Sequence, residues 1–278
     1  MIAKLKITVL IENQSSREEL RAEHGLSLWV EADNRRLLFD TGQSAAFVEN
    51  ARTLGVNLAD AEAVVLSHGH YDHGGGLAAS PERFRHARLY VHPAAFDAKY
   101  VVPPGQAGRC NTAEFGGLDA IRSAIPNTIL TEGPTEIMPN IYVTGAIPRR
   151  REYEDTGGPF FRDAAGTTPD PLSDDQAVYI ATTNGLVVLL GCAHAGTVNT
   201  LDYVAELTSR QHVHAVLGGM HLCHSSEKRV RNTLAALQEY DPRWIGPCHC
   251  TGPDAVERIR AEFPDCFLAP ASGAVFEF

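Results

Sequence analysis

Ser67-His68-Gly69-His70-Tyr71-Asp72-His73-Gly74-Gly75-Gly76 directly follows the apolar run Ala63-Val64-Val65-Leu66. The run reads as a buried strand. Four candidate metal ligands, His68, His70, Asp72 and His73, fall within the six residues after Ser67. Imidazole and carboxylate together suit zinc, iron or manganese. At an extended strand end His68 and His70 point the same way and can clamp one ion. A turn after them lets Asp72 and His73 face a second ion. The glycines allow that tight turn and a helix starting at about Gly75. A polar loop with incidental histidines is the bland alternative, since the chain has twelve of them. It does not explain why they cluster between an apolar strand and a Gly-rich turn.

Three later histidines share this setting. His194 lies in Gly191-Cys192-Ala193-His194-Ala195-Gly196, His221 in Gly218-Gly219-Met220-His221, and His249 in Pro247-Cys248-His249-Cys250-Thr251-Gly252. Each ends an apolar strand, and active sites form where strand ends converge. Asp40, in Phe39-Asp40-Thr41-Gly42, ends another strand. Aspartic proteases need two such strand-end aspartates; the second Asp-Thr-Gly here, Asp155-Thr156-Gly157, lies in a Gly/Pro-rich stretch instead. Asp40 is better read as a carboxylate that hydrogen-bonds a metal-binding histidine, or else as a turn residue.

The His-x-His-x-Asp-His pattern in this context resembles the signature of the metallo-β-lactamase superfamily. The resemblance implies an α/β fold, a four-layer αββα sandwich with one or two metal ions at the edge where the sheets meet. It places His249 as a ligand. Two departures stand out. The loop Gly145-Ala146-Ile147-Pro148 carries no histidine, and Gly191-Cys192 stands where a Gly-Asp is usual. His194 could supply the missing ligand, and Cys192 could replace the bridging carboxylate or simply pack there. Glu23 to Leu28, Leu38 to Ser44, Gly145 to Arg149 and the strand-end motifs together resemble the dihydropteroate-synthase-like branch. That branch includes enzymes joining a dihydropterin diphosphate to an aminobenzene ribosyl phosphate.

The remaining sequence sets bounds. The 278 residues, 44% hydrophobic and 21% charged, suit a soluble globular protein with a sizeable core. We read residues 1–278 as one domain with loop insertions at about 93–140 and 145–175. A net charge of -10, with Arg149-Arg150-Arg151 the longest basic run, argues against a nucleic-acid surface. No apolar run has transmembrane length, and the start, Met1 to Glu12, alternates like a strand rather than a signal peptide. The expected location is therefore cytoplasmic. The six cysteines form no C-x-x-C pair and are expected as free thiols. Apolar spacing predicts helices over 44–54, 197–209 and 226–239, and Asn184-Gly185 predicts a hairpin.

Three functions fit these residues. The first is a metal-dependent hydrolase. His68, His70, Asp72, His73, His194 and His249 hold zinc, or iron or manganese, which acidifies a water. Asp72 also orients the nucleophile, His221 donates to an oxyanion or adds a ligand, and Arg149 binds a phosphate. The substrate is a small molecule, anionic or pterin-like. The second is a pterin-type synthase in which an arylamine displaces diphosphate, with Tyr153, Phe160 and Phe161 lining a flat pocket. The third is a metal or redox sensor using Cys192, Cys248 and Cys250. The sequence leaves room for a homo-oligomer.

Overall fold

The computed structural model describes residues 1–278. Two sheets lie face to face. The first runs, in spatial order, Val275–Glu277, Leu5–Ile11, Ser27–Ala32, Arg35–Phe39, Ala63–Val65, Arg88–Val91, Thr128–Leu130. The second runs Trp244–Cys248, Val213–Gly219, Gly185–Leu190, Val178–Thr182, Ile141–Val143, Thr135–Met138.

Side-chain alternation sets the layers. Along Gly185–Leu190, Val187 and Leu189 join the core between the sheets. Leu186, Val188 and Leu190 instead pack with Leu201 and Val204 of helix Thr197–Leu207 and Leu234 and Leu237 of helix Glu227–Tyr240. In the first sheet Leu37 and Phe39 face the central core. Leu38 faces outward with Phe47 and Ala51 of helix Ala46–Thr53. Strands apolar on both faces need cover on both, and the result is the αββα sandwich. Each such Val, Leu or Phe contributes roughly 1.5–3 kcal/mol by leaving water.

Four strands of the first sheet, from Arg35–Phe39 to Thr128–Leu130, run parallel. So do Gly185–Leu190, Val213–Gly219 and Trp244–Cys248 in the second. Their carboxyl ends meet at one edge, and register decides what arrives there. Phe39 pairs with Val65, so Asp40 and Ser67 emerge side by side. Gly219 pairs with Cys248, so His221 and His249 emerge together.

Two expectations need correction. The helix predicted from about Gly75 begins at Tyr71 and ends at Ala79, with His70 as its N-cap. The glycines are therefore inside it, where they permit close approach rather than a turn. A Cβ at Gly76 would overlap the carbonyl oxygen of Thr41. The early start puts Asp72 in the first turn, where the helix dipole favours a carboxylate. Second, residues 93–140 are less irregular than their sequence suggests. They include helix Leu118–Ala124 and one edge strand of each main sheet. Edge strands of three or four residues are too short to show a period. Tyr100–Val101 also pairs with Arg109–Cys110 on one side and Phe160–Phe161 on the other, so both expected insertions build one small sheet. No helix is long and apolar enough to cross a membrane.

Candidate metal centre

The strand-end loops bring the predicted residues together. Asp72, His73, Cys192 and His249 form one group of converging ligand atoms, and His68, Cys192 and His194 form another. His70 joins the second group through its Nδ1, 3.0 Å from His68 Nε2. Cys192 is common to both.

In the first group, each imidazole is held from behind. His73 Nδ1 lies 2.7 Å from Asp40 Oδ2, and His249 Nδ1 lies 3.0 Å from Asn13 Oδ1. Both partners accept, so each Nδ1 carries the proton and each Nε2 presents a lone pair. These two Nε2 atoms stand 3.1 Å apart, and Asp72 Oδ2 is 3.2 Å from that of His249. Three acceptors facing one another repel unless a cation sits among them. Ligands of one tetrahedral zinc, at about 2.0–2.1 Å from the ion, lie about 3.3 Å apart. Without a metal, a proton takes that place. Burial opposes charge on His73, but Asp40 and Asp72 outweigh it and push the imidazole up to about 9. Asp72 is held well below the usual carboxylate range: burial opposes this, but His73, His24 and His249 prevail.

In the second group His68 Nδ1 sits 2.9 Å from Ser67 Oγ, whose hydroxyl donates to Asp40 Oδ2 at 2.7 Å. His194 Nδ1 donates to Thr156 O at 2.8 Å. Nε2 of His194 and Nε2 of His70 are buried without a partner. Burying polar atoms so costs free energy unless something meets them. Burial, followed by the neighbouring imidazoles, pushes His68 and His194 well below their ordinary value, and burial takes His70 down to about 3. These rings are neutral, as metal binding requires. The facing acceptors of the first group, and the neutral imidazoles with the unmet Nε2 of His194 in the second, therefore fit a divalent cation in each group.

The backbone supports the same conclusion. Asp40, Ala193, His221 and His249 all adopt left-handed φ, between 45° and 58°. Non-glycine residues held there cost about 1–3 kcal/mol each and persist where surrounding structure over-determines them.

His221 converges with Cys192 and Cys250 in a third group of ligand atoms and lines the cleft; its Nε2 donates to Gly157 O at 3.2 Å and its Nδ1 makes no hydrogen bond. Other expected residues separate. Phe160 lies in the cleft wall, its ring 5.0 Å from that of His70 and 5.1 Å from that of His194. Arg149 does not line the cleft: its guanidinium donates to Pro171 O at 2.8 Å. Cys248 points into the core between the sheets, away from the ligands, although Cys250 reaches the cleft. The cleft measures about 400 Å³. Sequence reading missed Asn13, Glu12 and His24. Glu12 Oε1 accepts from His249 N at 2.8 Å, and His24 Nε2 lies 3.2 Å from Asp72 Oδ2. Only His24 left a trace, within Glu23-His24-Gly25.

These shifts predict a stability optimum for the metal-free protein near pH 6.5. Between 3 and 6.5 the unfolded chain protonates His70 while the folded one does not. Stability is therefore lost as pH falls through that window, by about 1.4 kcal/mol per unit for each such histidine. His68 and His194 act in the same direction, and the three histidines together outweigh Asp175, which burial pushes up to about 7 and which acts oppositely. Between 6.5 and 9 only folded His73 keeps its proton, so stability falls as pH rises. Chemical denaturation in chelator across pH 4–9 checks this. A flat profile would contradict it.

The chain is similar to known proteins over nearly its whole length. The family model for the metallo-beta-lactamase superfamily matches residues 20–249. The crystal structure of Tm1679, a metal-dependent hydrolase of the beta-lactamase superfamily, is 32% identical, with a TM-score of 0.84 and 99% of each chain covered. The 7,8-dihydropterin-6-methyl-4-(beta-D-ribofuranosyl)-aminobenzene-5'-phosphate synthase of Methanocaldococcus jannaschii is 27% identical over 100% of this chain and 98% of its own. The uncharacterized protein MJ0448 of the same organism is 30% identical over 91% of this chain and 93% of its own.

Proposed function

The chain belongs to the metallo-beta-lactamase superfamily, and we propose that it is a metal-dependent hydrolase of a small anionic ester, phosphoester or diphosphate. The observation that carries this is the convergence of Asp72, His73 and His249 acceptors beside the His68–His194 group, with Cys192 shared. His68, His70 and His194 would hold one ion and Asp72, His73 and His249 the other, with zinc the best match and iron or manganese as alternatives. Such ions supply Lewis acidity, acidifying water toward neutral pH and polarising the bond to be broken.

The chain's own groups do the rest. Asp72, ionised and fixed by His24, accepts a proton from the attacking water and orients it. Because Nε2–H is used on Gly157 O, His221 donates from Nδ1 to oxygen charge that develops on the substrate only as the protonated ring. Its raised pKa favours that form: burial opposes the charge, but Cys250 prevails. Phe160 excludes water and offers an apolar face. The cation at the mouth is Arg109, which lines the cleft and makes no ion pair. It takes the anionic group that Arg149 is turned away from.

The test is hydrolysis of p-nitrophenyl phosphate, bis-p-nitrophenyl phosphate and p-nitrophenyl acetate by zinc-loaded protein. Hydrolysis of the phosphoesters is expected. Arg109→Ala is expected to raise their KM about 10-fold or more, a loss of about 1.5 kcal/mol or more for a charge-assisted contact, and to leave the neutral acetate unchanged.

The full-length similarity to a pterin-related synthase, with the Phe160 face in the cleft, favours a second reading. In it an arylamine replaces water and diphosphate leaves. Diphosphate release from a dihydropterin diphosphate that depends on added arylamine, without phosphoester hydrolysis, would select it.

A further inference from the structure

Three consecutive buried residues, Asp174, Asp175 and Gln176, lie between the second expected insertion and strand Val178–Thr182. None lines the cleft. Each side chain nevertheless reaches a ligand loop. Asp174 Oδ2 accepts from Gly69 N at 2.7 Å, the amide between His68 and His70. Asp175 Oδ2 accepts from Ala195 N at 2.7 Å, the amide after His194. Gln176 Nε2 donates to Leu66 O at 2.8 Å, and its backbone N donates to Ser67 O at 2.9 Å.

We propose that Asp174-Asp175-Gln176 is a positioning segment that sets the His68, His70 and His194 loops relative to one another, and so governs one metal position and not the other. His68 and His194 come from different sheets. Their spacing is set by one short piece of chain that grips both: a turn closed by Asp175 N on Leu172 O sends the two neighbouring carboxylates to different ligand loops. The other position has supports that the segment does not touch. Asn13 and Glu12 hold His249 and His24 holds Asp72, while Asp40 holds His73 and, through Ser67, also His68. The grip is itself stiffened. Lys99, almost fully buried, places Nζ 3.1 Å from Asp174 Oδ1, and Thr131 Oγ1 donates to Gln176 Oε1 at 2.8 Å. Carboxyl oxygens that accept from buried backbone amides are directional, short-range restraints. Burial pushes the Asp175 carboxyl up to about 7, and the Ala195 amide favours its charged form against that. Partners outside the ligand set typically change metal affinity 10–100-fold.

The inference rests on the two-ion reading above and is tested by metal release rather than turnover. Zinc-loaded full-length protein is titrated with a chromophoric chelator, and the ions released are counted and ranked. Wild type is expected to give up two ions. Asp175→Ala is expected to release one of them about 10–100-fold more readily and the other as in wild type. Asp175→Asn keeps an acceptor oxygen and is expected to restore the first ion to within a few-fold. Gln176→Met fills the same space without the donor to Leu66 O and is expected to weaken the same ion, so a poorly folding Asp175→Ala does not close the question. Combining either weakening variant with His249→Ala is expected to weaken both positions. Equal weakening of both ions in the single variants, or wild-type release in both, would overturn the proposal alone. Fewer than two ions in wild type would overturn the two-ion reading and the proposal with it.

Discussion

Asp72→Asn is expected to lower phosphoester turnover about 1,000-fold and to remove at least one ion from the purified protein. The substitution is nearly isosteric, so packing is not the cause. It removes a charge that His73, His24 and His249 all face. Asn can still offer an oxygen, but not a negative one, and it cannot take a proton from water. Lewis-acid stabilisation is worth several kcal/mol, and each 1.36 kcal/mol is tenfold in rate. Losing three such steps gives the expected factor. A second effect separates this account from a merely structural role. Asp72 helps hold the His73 proton in the metal-free protein. Its neutralisation is therefore expected to lower the His73 titration, read by NMR in chelator. Unchanged metal content with full activity would place Asp72 outside the centre.

Gly69→Ala is expected to destabilise the fold by about 3 kcal/mol or more, at the upper end of overpacking effects. In a chain of this size that is roughly a 6–12 °C drop in melting temperature. A Cβ at Gly69 would overlap the backbone carbonyl of Ala95. Backbone cannot rotate away as a side chain can. Gly69 cannot yield either, because its N–H is bonded to Asp174 and its carbonyl accepts from Ala113 N at 2.9 Å. Any shift would also part His68 from His70. Gly133→Ala is the control: nothing lies within 4 Å of its added Cβ, and little change is expected. Differential scanning calorimetry of the metal-free proteins separates the two. Equal melting temperatures would show that the Ala95 contact relaxes freely.

The difference between what could and could not be read from sequence follows from range. His68, His70, Asp72 and His73 are neighbours on the chain, so their spacing alone implies a clamp. His194, His221 and His249 were found through a shared local context, an apolar strand ending in Gly-rich chain. The strands themselves were legible because both faces are buried and their runs are apolar. The supports were not. Glu12 holds His249 across 237 residues and Asp174 holds Gly69 across 105. No periodicity encodes such pairings; they exist only once the sheets have stacked. The Arg149 expectation failed for a related reason. Its tripeptide run looked like an anion site, but exposure toward the cleft is a tertiary property that an isolated arginine in a two-residue strand, Arg109, has instead. The helix start failed because glycines inside a helix look like a turn until the close neighbour that demands them, here Thr41, is known.

The most direct test of the central claim is elemental analysis of the purified protein with and without His249→Ala, joined to anomalous diffraction at the metal edge. The account predicts two ions per chain in wild type, one among His68, His70 and His194 and one among Asp72, His73 and His249, with only the second lost in the variant. A single ion retained in full after His249→Ala would contradict it.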